Sequence, residues 1–143
     1  MRQTGQTPGQ DWGPEARTSP LRVLLVAGNG LSAQLLEEVG RYTPLQIQRA
    51  RGARDAWMEL RERIFDVVVI ELAPGPLGPA ELYHGMVQLF PELKHRVIFL
   101  AHDLGHPEAR RFLREAGCPF LTPPLDPGAL RDLVFRVGGD RRR

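Results

Sequence analysis

Few side chains in this 143-residue sequence combine the type and spacing needed for chemistry. His102, Asp103 and His106 bring two imidazoles and a carboxylate within five residues, a donor set suited to Zn²⁺ or another transition metal. The competing reading is that Asp103 caps a following helix and both histidines are solvated, because a turn gives three ligands no rigid scaffold. Ser32 opens a helical pattern but lacks the strained strand-to-helix turn that exposes a catalytic serine. Gly28-Asn29-Gly30, just before that pattern, offers backbone N–H groups to a phosphate, yet the full glycine fingerprint of nucleotide-binding turns is missing. Cys118 is the single cysteine, so no disulfide or multi-cysteine zinc site can form within the chain. No base stands beside it in sequence, and an inert buried thiol is expected. Arg110, Arg111 and Arg114 put three guanidinium groups on one side of a helical segment. Such a run is either a solvated face or a surface for a partner rich in carboxylates.

The elements that must position these groups alternate along the chain. LRVLLV (21–26), bounded by the glycine pair, suits a buried strand. Leu31, Leu35, Leu36 and Val39 recur at helical spacing, with Gly40 expected to close that helix. Leu45 and Ile47 alternate with glutamines as in a half-buried edge strand, and Ala53, Ala56, Trp57 and Leu60 form the stripe of a second helix. FDVVVIEL (65–72) reads as a strand buried on both faces. Asp66 lies at its amino end and is expected to cap or pair locally. A Pro/Gly loop, 73–79, leads to a helix over about 80–90, and RVIFL (96–100) is a fourth strand. A helix over 108–116 with Gly117 as its stop, a short strand at Phe120-Leu121, and a helix entered at Pro127 complete the pattern. Strands and helices alternating through short turns predict an α/β fold: a flavodoxin-like, doubly wound, five-stranded parallel sheet in three layers, order 2-1-3-4-5. Sites in such sheets lie at the carboxyl ends of the strands, here Ala27, Gly28, Glu71, Ala101, His102, Thr122 and Pro123.

Composition bounds the function classes. Hydrophobic residues make up 42% and charged residues 25%, enough apolar material for a real core. No apolar run approaches the length of a membrane span, and the amino terminus lacks the apolar stretch of a signal peptide, so a cytoplasmic protein without membrane attachment is expected. The sequence pI of about 9.2, taken alone, points toward nucleic acid. However, residues 21–137 balance 14 basic against 14 acidic side chains, and the net charge of +2 comes from the GGDRRR tail. No basic face for a phosphate backbone follows. The Gly-, Pro- and Gln-rich residues 1–20, with Trp12 as their one candidate anchor, are expected to form a flexible arm. Residues 21–137 are expected to form one domain, and 138–143 a basic tail behind a helix-ending Gly138-Gly139 pair.

Several stretches, in order and spacing, resemble the receiver domain of two-component response regulators over about 21–137. They are LRVLLVAGN, the Ala50-Arg51-Gly52 turn followed by Ala56, FDVVVIEL followed by Pro74 and Gly78, and Ala116-Gly117-Cys118 with Phe120-Leu121 and Pro124-Leu125-Asp126-Pro127. The resemblance implies a domain that accepts a phosphoryl group on an aspartate at the end of strand three. An acidic pair after strand one would hold Mg²⁺, a lysine after strand five would add a second positive charge, and a hydroxyl after strand four would bind the product. The sequence departs at each point. The acidic pair falls on Ala27 and Gly28, the acceptor on Glu71, the hydroxyl on Ala101, and the lysine on Pro123 or, with the alignment shifted by one, Thr122. The only lysine, Lys94, precedes strand four, and the acceptor loop is one residue short.

The expectation is therefore a stand-alone, non-enzymatic pseudo-receiver with no catalytic residue, no metal and Mg²⁺ binding lost. It would act by contact with another signalling protein through helix four, strand five and helix five, where Arg110, Arg111, Arg114 and Phe120 stand; a homodimer is left open. Two alternatives remain: a receiver phosphorylated at an unusual residue, and a small-ligand or nucleotide-binding protein using the vacated pocket. Glu71 itself admits two readings, a mimic of the phosphorylated state or a partly exposed carboxylate at a strand end with no partner left.

Overall fold

The computed structural model of the chain describes residues 20–28, 30–41, 43–72 and 78–139, and of Leu31 only the backbone. Trp12 and its arm, Asn29, Pro74 and the terminal arginines lie outside these residues. The elements are β1 (Leu21–Val26), α1 (Gly30–Arg41), β2 (Leu45–Ala50), α2 (Ala53–Glu62), β3 (Val67–Leu72) and α3 (Gly78–Leu89). A 3₁₀ turn (Pro91–His95), β4 (Val97–Ala101), α4 (Pro107–Ala116), β5 (Phe120–Leu121) and α5 (Pro127–Gly139) follow. All strand pairs are parallel, in the order β2-β1-β3-β4-β5. The expected α/β topology is the one observed.

Alternation along the strands divides the core. Leu24, Val26, Val68, Ile70 and Phe99 face α2, α3 and α4, packing on Ala56, Leu60, Met86 and Phe112. Val23, Leu25, Val67, Val69 and Ile98 face α1 and α5, packing on Leu36, Val39, Leu130 and Val134. β3 is buried along its whole length, as its unbroken apolar run requires. The same alternation turns Glu71 toward the α1/α5 side. An edge-on aromatic cluster of Tyr83, Phe99 and Phe112, with centroids 5.2–5.8 Å apart, ties α3 and α4 to β4.

Element ends differ from the sequence reading where packing overrides local signals. Gly40 does not end α1, which continues to Arg41. Gly138-Gly139 does not stop α5 after Val137 either; the helix runs through both, and Gly138 is buried. A Cβ on Gly138 would lie 2.6 Å from Val67 Cγ2 and 3.2 Å from Leu21 Cδ1, so this glycine lets α5 approach the sheet. Gly117, by contrast, does end α4, in the left-handed conformation (φ 69°) that glycine adopts freely. The 3₁₀ turn before β4 had no counterpart in the sequence pattern.

Gly138→Ala should therefore destabilise the fold by about 1–3 kcal/mol through overpacking against Val67. Gly139→Ala, where a Cβ meets nothing within 4 Å, should be neutral or slightly stabilising. Urea unfolding of the two variants measures the difference.

Candidate functional site

The site forms at the carboxyl edge of the sheet, around the end of β3. Glu71 is buried, with 5% of its side chain exposed. Three elements converge on its carboxylate. The Gly28 N–H, just past β1, donates to Oε1 at 3.2 Å. The hydroxyl of Ser32, in the first turn of α1, donates to Oε2 at 2.6 Å. His102 Nε2, the first residue past β4, lies 2.8 Å from the same Oε2. An ionised carboxylate only accepts hydrogen bonds, so Nε2 must carry a hydrogen. Burial alone would raise the Glu71 pKa. The hydrogen bonds from Ser32 and His102, the charge interaction with His102 and the Gly28 N–H outweigh that effect and hold the carboxyl below its ordinary value.

Of the two readings of Glu71, the partly exposed carboxylate at a strand end with no partner left is thus overturned. The hydroxyl it bonds comes from α1, and the nitrogen from one position beyond Ala101. Ser32 had been set aside as a nucleophile, and it is fully buried. The cluster is not a nucleophilic relay either. Ser32 Oγ approaches the imidazole at 3.4 Å through Nε2, the nitrogen that also meets Glu71, so no proton can cross the ring from hydroxyl to carboxylate.

The other candidates separate. Asp103 and His106 are half-exposed and 3.6 Å apart, and Asp103 Oδ1 accepts from Gly105 N–H in a local turn, while His102 faces Glu71. The three do not converge, and no group of three or more metal-binding side chains occurs among the described residues. Asp66 accepts from Arg22 N–H on β1 at 2.8 Å, at the opposite edge of the sheet. Cys118 is buried beside Tyr83 Oη and the Lys94 carbonyl, and burial pushes its thiol pKa up, away from reactivity. Thr122 and Pro123 are exposed. Ala27 is buried and Gly28 exposed, and neither carries a carboxylate for a hard cation. With Glu71 already bonded to three donors, these residues do not fit a receiver-type Mg²⁺ site. A cavity of about 240 Å³ opens beside Glu71, lined chiefly by apolar groups with Arg51 at its rim.

The fold has counterparts among solved structures. The receiver domain of a signal transduction histidine kinase from Syntrophus aciditrophicus superposes with a TM-score of 0.74 at 22% identity, covering 86% of this chain and 93% of that one. The receiver domain of an HD domain-containing protein from Pseudomonas fluorescens Pf-5 gives 0.70 at 22%, covering 86% and 97%. The Vibrio cholerae chemotaxis protein CheY4 gives 0.68 at 19%, covering 83% and 99%. No protein-family model matches the sequence, and no curated protein matches it. The fold is that of the CheY-like receiver domains of response regulators.

The depressed Glu71 pKa has a signed consequence. Its contribution to stability is present above the ordinary glutamate pKa, about 4.3, and is lost as pH falls through the lower folded value. Glu71→Gln, which cannot ionise, should cost about 2 kcal/mol at pH 7. The gap from the parent should narrow as pH drops below about 4. Chemical unfolding across that range checks it.

Proposed function

We propose that the chain is a pseudo-receiver: a protein-interaction module of bacterial two-component, phosphorelay-type signalling that neither accepts a phosphoryl group nor acts as an enzyme. The carrying observation is that the carboxylate at the acceptor position is already bonded to three donors of the chain itself. An acceptor must present a free lone pair to phosphorus while a metal and a cation neutralise the transferring group. Three of the acceptor positions of Glu71 are taken by these donors, and Ala27, Gly28, Ala101, Thr122 and Pro123 supply neither carboxylate, hydroxyl at the product position, nor cation in place of the family's residues. The reading therefore includes loss of Mg²⁺ binding, and a cytoplasmic location is proposed with it. No helix among the described residues is long and apolar enough to cross a membrane.

The partner surface in this reading is the face of α4, β5 and α5. Arg110, Arg111 and Arg114 are exposed within an arc of about 100° around α4. Arg110 donates back to the Leu104 carbonyl, so Arg111 and Arg114 are the pair offered outward. Phe120 is 42% exposed beside a groove of about 340 Å³ between β5 and α5, with Leu121, Leu133 and Arg136 on its walls. An aromatic anchor beside guanidinium groups suits a partner that presents carboxylates around an apolar contact.

Glu71→Asp restores the family's residue type, and should still show no covalent phosphate or beryllofluoride response with Mg²⁺ and acetyl phosphate. Mass spectrometry reads the adduct, and an acyl phosphate on the new aspartate would refute the pseudo-receiver reading. The variant should also lose about 1 kcal/mol or more of stability, because the shorter side chain withdraws from Ser32 and His102.

Replacing Arg111 and Arg114 together by glutamate should abolish capture of the native partner from source cells. The change in stability should stay within about 0.5 kcal/mol, as for exposed substitutions generally. Undiminished capture would move the interface elsewhere.

A further inference from the structure

We propose that Ser32, Glu71 and His102 form a built-in latch that holds the β4–α4 connection, and with it the amino end of α4, in one arrangement without any added ligand. The polar contacts of this connection are otherwise internal. Asp103 Oδ1 accepts from Gly105 N–H at 2.7 Å, His106 Nε2 meets Asp103 Oδ2 at 3.6 Å, and Arg110 bonds the Leu104 and His106 carbonyls. Among the described residues, His102 alone ties the connection by a polar contact to another element, and it does so to the end of β3 and the first turn of α1. Leu104 adds an apolar contact with the core.

The two anchor groups cannot move far. Ser32 is fully buried, and Glu71 is the penultimate residue of a strand buried along its length. His102, with 24% of its side chain exposed, is the member able to swing out. Farther along α4, Phe112 is clamped by Phe99 and Tyr83. The helix is therefore held by two different means: apolar packing of Ala109, Phe112 and Leu113 along its inner face, and a charge-assisted hydrogen bond before its amino end. Releasing the second should free the connection and the first turn while the packed part stays in place. The signalling meaning of the latch rests on the pseudo-receiver reading: a partner docking on α4 meets a surface set by the chain itself, not by a phosphodonor.

Hydrogen–deuterium exchange of the full chain at neutral pH tests this without a partner or phosphodonor. In His102→Ala, amides over 103–111 should exchange about tenfold faster or more, with β1 and β2 unchanged. In His102→Gln, whose side-chain amide can still donate to Glu71, protection should return to within about threefold of the parent. Unchanged exchange in His102→Ala would overturn the latch. So would acceleration spread equally through β1 and α5, or a glutamine variant as fast as the alanine one. Phosphoryl uptake by the parent protein would remove the pseudo-receiver reading yet leave this readout intact, so the two fail separately.

Discussion

A carboxylate buried at the end of the central strand is the constraint around which the carboxyl edge of this molecule is arranged. An ionised group out of water is costly unless its lone pairs are met by donors. Glu71 meets this requirement with donors from three separate elements: a backbone N–H after β1, a hydroxyl on α1 and an imidazole after β4. The one charge thereby fixes how the amino end of α1 and the start of the β4–α4 connection sit on the sheet. Hydrogen bonds to a charged group are among the stronger polar contacts in proteins, and here they join segments far apart in sequence.

The rest of the fold supplies the rigid frame on which that arrangement stands. Two apolar layers pack on opposite faces of a sheet in which β3 and β4 are buried along their whole length. Close approaches replace side-chain bulk at two helix contacts. Gly138 lets α5 lie against Val67 and Leu21, and Gly85 of α3 receives the Trp57 ring of α2, where a Cβ would come within 3.0 Å. Close-packed interiors have low compressibility and transmit strain. The cluster at Glu71 and the arginine-bearing face of α4 are linked by the short connection from His102 to Pro107.

A shared fold carries function only through the site grafted on it. The structural likeness, at 19–22% identity to the three receivers compared, extends to the fold. The residues at the strand ends then set it apart. Where the resemblance implies acids around a metal and a nucleophile facing solvent, this chain has Ala27, Gly28 and a carboxylate turned inward to its own donors. That exchange of an open, charged pocket for a closed hydrogen-bonded cluster is the chemical content of the pseudo-receiver reading.

The sequence by itself determined the elements, their order and which strand lies at the centre, because apolar periodicity and a doubly buried run such as 67–70 are local signals with one packing solution. It also determined the absence of carboxylates at Ala27 and Gly28, which is a matter of residue identity alone. Only the tertiary structure decided that Glu71 is buried and bonded. Ser32 lies 39 residues before Glu71 and His102 31 residues after it, and no local pattern joins such distant positions. Strand alternation could have supplied one signal, since it turns Glu71 toward the face that α1 covers, where a small hydroxyl in the first helical turn is within reach. The glycine pair misread as a helix end failed for the same reason: a glycine that stops a helix and one that admits a neighbouring sheet look alike in sequence, and only the 2.6 Å that a Cβ on Gly138 would leave to Val67 tells them apart.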